Sequence, residues 1–404
     1  MKRLFVRLSG VAVLALFVAL EGCTQAGSGS ASANHPAALA TPARSAAAAG
    51  SDLRLIQTIP LPQVAGRIDH LALDHANRRL FIAAIGNDSV EVVDLDRARD
   101  IRSLKAGGEP QGVAWVPAIT PPPPPLAVLP QASGQPPAVS PPSPPPLPAR
   151  VLVASGEDGM CRLLDQNLQL VGTVALGADA DNVRIAPNGR DVFVGFGVGP
   201  DAAGLARIDP VAGTQSIAAK LPSHPEAFAI EPDGSRIFVN LPESGEVAVL
   251  RRTGTGYRTE ARWLLSEAAA NYPLALDAVH HRLFVGCRAP GKLVVFDTRD
   301  GSCLGAADID GMVDDLFYDA ANDRVIALCG DAGNDAGAID IVRCKQSGAA
   351  IQVARTGRIQ TPVGAQTGLL DPAADRLYLA ARAHGDVPAQ VRIYALGASV
   401  DSNQ

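Results

Sequence analysis

Polar side chains recur at one point of a repeated pattern in this 404-residue chain, where the neighbouring positions are mostly apolar. Four of them are carboxylates: Asp69, Asp181, Glu226 and Asp314. If they converge, two of them roughly 8 Å apart repel by about 2 kcal/mol at an effective dielectric of about 20. The seven equivalent positions, and the polar residues that directly follow three of them, are Asp69, Gln111, Asp181, Glu226, Tyr272, Asp314 and Gln366, with His70, Asn182 and Asp315.

Three uses of this set are open from the residue types alone. Carboxylate and amide oxygens are hard ligands, so the four carboxylates could hold Ca²⁺. The same polar ring could line a ligand pocket without chemistry, or it could serve only to bond neighbouring backbone groups and solvate a channel. No phosphate-binding glycine loop with its lysine, no G-x-S-x-G elbow and no HExxH motif occurs. The sequence therefore predicts no catalytic residue, and a calcium site is the one cofactor it suggests.

A second repeat explains the spacing of these residues. The phrase that begins Arg79-Leu-Phe-Ile returns six times, at intervals of 71, 41, 45, 46, 42 and 52 residues. Each copy has a short apolar strand before it and, after a turn rich in Gly or Asp, two more strands. The copies start at Arg79, Arg150, Asp191, Arg236, Arg282, Arg324 and Arg376.

Four short strands in about 45 residues are typical of one blade of a β-propeller. Helical periodicity is absent from these units, so we predict an all-β, seven-bladed β-propeller of four-stranded antiparallel blades spanning residues 51–396. The last unit lacks a fourth strand, while the segment 53–61 before the first unit is an unpaired strand. We therefore expect this N-terminal strand to complete the last blade and close the ring.

The strand–turn–strand phrases LFIAAIGNDSVEVVD and LFVGCRAPGKLVVFD, with the link GGEPQGVAW, resemble the YVTN-type repeat family of YncE-like seven-bladed propellers. The resemblance extends to the haem-d1 domain of cytochrome nitrite reductase, although the letters Tyr-Val-Thr-Asn are absent. It implies the fold and leaves the activity open. Similarity to calcium-dependent lactonase propellers implies an enzymatic alternative, a lactonase or esterase with metal ligands Asp69, Asp181, Glu226 and Asp314 and with His70 as a base.

The N-terminal residues predict export. Lys2, Arg3 and Arg7 precede an apolar stretch at 11–20, and the box that ends at Cys23 resembles a bacterial lipoprotein cleavage site, with Glu21 a departure from it. We expect a signal peptide at 1–22, lipidation of Cys23, a disordered tether at 23–50 and a C-terminal tail at 397–404. The predicted location is the periplasmic side of the outer membrane; an ordinary signal peptide and a soluble periplasmic or secreted protein is the alternative.

Residues 117–149 contain 15 of the 32 prolines and lie between the first two strands of the second blade. Proline cannot donate to a sheet, so this segment is predicted to be an insertion that leaves the blade. It is either a tolerated surface insertion or an arm that reaches a partner. Such an arm would leave on the face opposite the ring mouth.

Composition narrows the class of partner. The net charge is −6 and aromatic residues make up 4% of the chain, with no basic stripe, so nucleic acid is not expected. Loops at 195–204, 330–337 and 382–389 are expected to open around the ring mouth. We predict a monomeric, non-enzymatic binding or scaffolding protein whose mouth and loops take an envelope protein or a small molecule.

Overall fold

The computed structural model describes residues 53–120, 146–347 and 350–397. These residues form seven four-stranded antiparallel sheets, and the inner strands of neighbouring sheets contact each other around the ring. The predicted seven-bladed propeller is thereby confirmed. The closing N-terminal strand and the strands of the first three blades are β1 Leu53–Leu61, β2 Leu71–Asp74, β3 Arg79–Ala84, β4 Ser89–Asp94, β5 Arg99–Lys105, β6 Pro110–Val116, β7 Arg150–Ser155, β8 Met160–Leu164, β9 Leu170–Ala175, β10 Val183–Ile185, β11 Val192–Phe196, β12 Gly204–Asp209 and β13 Thr214–Lys220.

The later blades contain longer strands than the earlier blades. The outer hairpin of the sixth blade has strands of 12 and 13 residues. The strands of the last four blades are β14 Phe228–Ile230, β15 Arg236–Leu241, β16 Glu246–Thr253, β17 Gly256–Leu264, β18 Ala269–Asp277, β19 Arg282–Ala289, β20 Gly291–Asp297, β21 Cys303–Asp308, β22 Gly311–Asp319, β23 Arg324–Asp331, β24 Ala336–Ser347, β25 Ala350–Pro362, β26 Thr367–Asp371, β27 Arg376–Ala381 and β28 Ala389–Leu396.

The ring closes through the N-terminal strand, as predicted. β1 pairs with β28 in antiparallel register from Leu53 opposite Leu396 to Leu61 opposite Ala389. The last sheet therefore has the order β1-β28-β27-β26. Ile59 and Leu61 are fully buried in an apolar cluster shared between this sheet and the first blade. Burial of apolar surface between adjacent blades thus joins the two ends of the ring.

A repeated ion pair fixes the corner between the first two strands of several blades. The carboxylate at the end of the first strand accepts hydrogen bonds from the arginine that begins the second, five residues later. These pairs lie at the end of the ring opposite the mouth, and in four copies of the repeat the recurring arginine forms one of them. The pairs and their N–O distances are Asp74–Arg79 at 2.8 Å, Glu231–Arg236 at 2.6 Å, Asp277–Arg282 at 2.6 Å and Asp319–Arg324 at 2.8 Å.

The proline-rich insertion leaves and re-enters the propeller at one place. Ile119 and Leu147 exchange two backbone hydrogen bonds of 3.1 and 2.9 Å between β6 and β7. Residues 121–145 lie outside the described residues, as do the predicted signal peptide, the Cys23 site, the tether and residues 398–404. In the part of the chain that is described, no helix is long and apolar enough to cross a membrane.

Candidate functional site

One cavity of about 770 Å³ opens at the mouth end of the ring axis. All nine side chains predicted to face the mouth contribute to its lining, so the structure brings them together in one place. The nine residues are Asp69, His70, Gln111, Asp181, Asn182, Glu226, Tyr272, Asp314 and Gln366.

Two backbone devices place these side chains at the mouth. In blades 2, 5 and 6 the register shifts at the site residue, so that Gln111, Tyr272 and Asp314 lie at bulges. A bulge leaves one residue out of the ladder and redirects its side chain. In blades 1 and 3 the residue lies just before the first strand, and the amides of Asp69 and Asp181 donate to Ala83 and Gly195.

His70 lies among three carboxylates where the mouth narrows. Its Nε2 is 3.8 Å from Asp69 Oδ1 and 4.0 Å from Asp181 Oδ1, and its Nδ1 is 3.7 Å from Asp315 Oδ1. Burial favours the neutral imidazole, but the surrounding carboxylates outweigh it and raise the pKa of His70 to about 10. A general base must be unprotonated at the working pH, so this raised pKa argues against His70 as the base of the hydrolase alternative.

Guanidinium groups engage two of the four predicted metal ligands. Arg67 donates to Asp69 over 2.9 Å, and Arg288 donates to Asp314. Arg288 also lies over the ring of Tyr272, with Cζ 3.6 Å from the ring centroid. The sequence reasoning missed both arginines, although the end of a second strand must return to the mouth, and Arg288 lies at such an end.

Two buried acceptors in the cavity wall have no donor. Among the described residues, neither Asp181 Oδ1 nor Asn182 Oδ1 accepts a hydrogen bond, and the two residues are 7% and 3% exposed. Both atoms expose almost no surface, and a buried acceptor without a donor costs free energy that a donor reaching it would recover. Burial and neighbouring carboxylates raise the pKa values of Asp181 and Glu226 to about 7. The charge of the wall therefore changes near neutral pH.

Two of the three loops that were expected around the mouth contribute to the cavity lining. The 330–337 loop contributes Gly330, Asp331 and Asp335, and the 382–389 loop contributes Arg382, whereas the 195–204 loop does not reach the lining. Sequence reasoning also did not anticipate Asp179 and His224, which come from connections before β10 and β14. In total, seven carboxylates and three arginines line the cavity, so acceptors outnumber the fixed cations.

The calcium site stays a prediction. Within residues 53–120, 146–347 and 350–397, no group of three or more His, Cys, Asp or Glu side chains is arranged to hold a metal ion. The carboxylates of Asp69 and Asp314 already have guanidinium partners, and Ca²⁺ needs six to eight oxygen ligands. The arrangement of these oxygens suits hydrogen bonds from N–H donors better than it suits the coordination of a metal ion.

No protein-family model matches the chain, and no curated protein sequence matches it. A chain of the mitotic checkpoint complex crystal structure superimposes with a TM-score of 0.59 and 12% identity, covering 90% of this chain and 96% of that one. Hydrazine synthase of Kuenenia stuttgartiensis gives a TM-score of 0.49 and 16% identity, covering 71% and 83%. The first likeness supports the propeller fold alone.

Proposed function

We propose that this protein is a non-enzymatic binding protein whose ring mouth takes a ligand bearing a primary ammonium or guanidinium group. The propeller fold fits a binding or scaffolding role. The observation that carries the finer proposal is the pair of buried, donor-free oxygens on Asp181 and Asn182, in a cavity where carboxylates outnumber arginines. Such a ligand is a free amine or the basic side chain of an envelope protein.

A cationic donor suits this wall better than a neutral one. It would satisfy Asp181 Oδ1 and Asn182 Oδ1 directly, and hydrogen bonds to a charged group contribute about 1.5–3 kcal/mol. Because the pKa values of Asp181 and Glu226 lie at about 7, the wall carries more negative charge above that pH. Binding of the cation should therefore strengthen between about pH 6 and pH 8.

Titration calorimetry at about pH 8 tests the proposal, with putrescine as the cationic probe and 1,4-butanediol as its neutral isostere. We expect putrescine to bind and Asp181→Asn to weaken it at least about tenfold, because the amide removes the charge while keeping the shape. Asp308→Asn is the matched control, since Asp308 is 87% exposed on an outer strand. N-acetyl-lysine amide tests a protein side chain as the natural ligand.

The proposal fails if putrescine binds no better than butanediol, or if Asp181→Asn binds putrescine as tightly as the wild type does. A loss of binding in Asp308→Asn as large as in Asp181→Asn would point to general surface charge instead.

We further propose that the propeller is held at a bacterial membrane through acylated Cys23. The basic n-region, the short apolar stretch and the cysteine box support this proposal. Mass spectrometry of the mature N-terminus should show acylated residue 23, and Cys23→Ser should move the protein from the membrane to the soluble fraction. A mature chain that starts elsewhere, or one that stays soluble with Cys23 intact, would favour the periplasmic or secreted alternative.

A further inference from the structure

A second cavity of about 630 Å³ lies on the other side of His70 along the ring axis. His70 and Ala227 contribute to the lining of both cavities, so the constriction at His70 divides the axial channel into two chambers. The wall of this second chamber is mainly apolar and comes from the first strands of the blades. It includes Leu73, Trp115 and Leu276.

Arg184 departs from the blade repeat at one position of this wall. The pairing register places it opposite Phe193, at the position that other blades fill with residues such as Ala72, opposite Phe81. The equivalents in the other six blades, read from the same register, are Ala72, Ala114, Ala229, Ala275, Phe317 and Leu369. One blade in seven therefore carries a cation where the repeat calls for a small or apolar side chain.

The guanidinium of Arg184 makes only part of the contacts that its N–H groups allow. Its Nη1 donates to the carbonyl of Val183 over 2.9 Å, and its Cζ lies 5.8 Å from the ring centroid of Phe228. Among the described residues it has no carboxylate within ion-pair distance, although guanidinium has five N–H donors. Burial lowers the pKa of Arg184, a cost that a bound anion would relieve.

The other charges that face the chamber each have at least one partner, although Asp371 Oδ2 accepts no hydrogen bond among the described residues. Asp315 accepts from the amide of Gly368 over 2.8 Å and lies beside the His70 imidazolium. Asp371 accepts from the amide of Ala374 and lies 3.7 Å from His75. Arg184 is thus the charge in this chamber without a direct ion pair among the described residues, since Asp315 and Asp181 attract it only from a longer distance. The apolar wall around it suits a hydrocarbon chain or ring.

We infer that the second chamber binds a small amphipathic carboxylate, with its carboxylate paired to Arg184 and its apolar body against Leu73, Trp115 and Leu276. Arginine recognises carboxylates through two parallel hydrogen bonds, which a chamber wall can present without moving. The inference concerns a different cavity from the proposed cation site, and it stands independently of that proposal.

Octanoate is the probe, with octanol as the neutral control and acetate as the control without an apolar body. Titration calorimetry on the propeller should show one octanoate per chain, with octanol and acetate at least about tenfold weaker. Arg184→Ala installs the residue that four other blades carry at this position, so the fold should tolerate it, and it should weaken octanoate at least about tenfold. Arg258→Ala, on the exposed face of β17, should leave binding unchanged.

Quenching of tryptophan fluorescence reports where the carboxylate binds. The chain has two tryptophans; Trp115 lines the chamber, and Trp263 packs in the fourth blade between Phe238 and Phe296. A bromine-bearing carboxylate, 8-bromooctanoate, should quench tryptophan emission, and Trp115→Phe should remove most of that quenching. The inference is overturned if wild-type protein binds octanol as tightly as octanoate, if Arg184→Ala leaves octanoate binding intact, or if quenching survives Trp115→Phe. The first of these comparisons needs no variant, so it decides the matter even if Arg184→Ala fails to fold.

Discussion

The first strands of the blades carry carboxylates at both ends, and the two ends use them differently. At the corner end, the carboxylate and its arginine belong to the same blade, as in Asp277 and Arg282. At the mouth end, the carboxylates come from different blades and meet around His70, and Asp181 keeps one oxygen without a donor. The corner pairs join two strands of one blade, and Arg282 also reaches Asp323 of the next blade. The mouth instead gathers carboxylates from several blades.

The proton affinities of the two ends shift in opposite directions. At the corner, hydrogen bonds from Arg282 and His280 outweigh burial and lower the pKa of Asp277. At the mouth, burial and like charges raise the pKa values of Asp181 and Glu226 to about 7. The corner carboxylates, which stabilise the fold, therefore ionise readily. Ionisation of the mouth carboxylates costs free energy, which is typical of functional sites.

The same substitution, aspartate to asparagine, at the corner end and at the mouth end tests this comparison most directly. Asp277→Asn should lower the free energy of unfolding by about 3 kcal/mol, because it removes one of the two carboxylates that pair with the buried Arg282 guanidinium and leaves Asp323 as the other. Asp181→Asn should change it by about 1 kcal/mol or less, because that carboxylate is already disfavoured. Urea unfolding at pH 8 measures both. Equal losses in the two variants would show that the mouth carboxylates are structural as well.

Replacement of His70 tests the centre of the mouth. His70→Gln should cost about 2–3 kcal/mol, less than a broken corner pair, because Asp69 keeps Arg67 and Asp181 can take up a proton. His75→Gln is the control, since His75 is 59% exposed, and it should unfold like the wild type. If His70→Gln has no effect on urea unfolding, the imidazolium does not hold the three carboxylates together.

The pH dependence of stability follows from the same contrast. Asp181, Glu226 and His70 bind protons more tightly in the folded state, so their contribution is present at low pH and is lost as pH rises, between about 4 and 7 for the carboxylates and between about 6.5 and 10 for His70. The lowered pKa of Asp277 acts only at the acid end, where its contribution is lost as pH falls.

The melting temperature should therefore fall by several degrees from pH 5 to pH 9. The double variant Asp181→Asn with Glu226→Gln should flatten the part between pH 5 and pH 7 and leave the alkaline part in place. A melting temperature that rises over this range in the wild-type protein would contradict the shifts at the mouth.

The sequence allowed the fold to be predicted because the blade repeat is local and periodic. The strand pattern and the unpaired segment before the first unit sufficed for the seven blades and for closure through β1. The repeat also aligned the mouth positions, because the equivalent residue at the mouth end of each first strand occupies the same place in every blade. Asp69 and Asp314 could therefore be placed at the same mouth without coordinates.

The partners of those residues could not be predicted, because they come from outside the aligned column. Arg288 reaches Asp314 from the end of β19 in the preceding blade, and Asp179 and His224 come from connections of irregular length. The distinction between a corner carboxylate and a mouth carboxylate was available in part: an arginine follows Asp74, Glu231, Asp277 and Asp319 at a distance of five residues, and none follows Asp69 or Asp181 at that spacing.

Calcium should produce the smallest effect. About 1 mM CaCl₂ should move the melting temperature by about 1 °C or less, because Asp69 and Asp314 are engaged by arginines and His70 already supplies a positive charge at the centre of the ring. Putrescine at a saturating concentration should give a larger shift in the same buffer, since it needs only the free acceptors of Asp181 and Asn182. A calcium shift of several degrees that Asp69→Asn and Asp314→Asn both abolish would mean that the arginines swing aside for a metal. The mouth would then work as a coordination site rather than as an acceptor for ammonium groups.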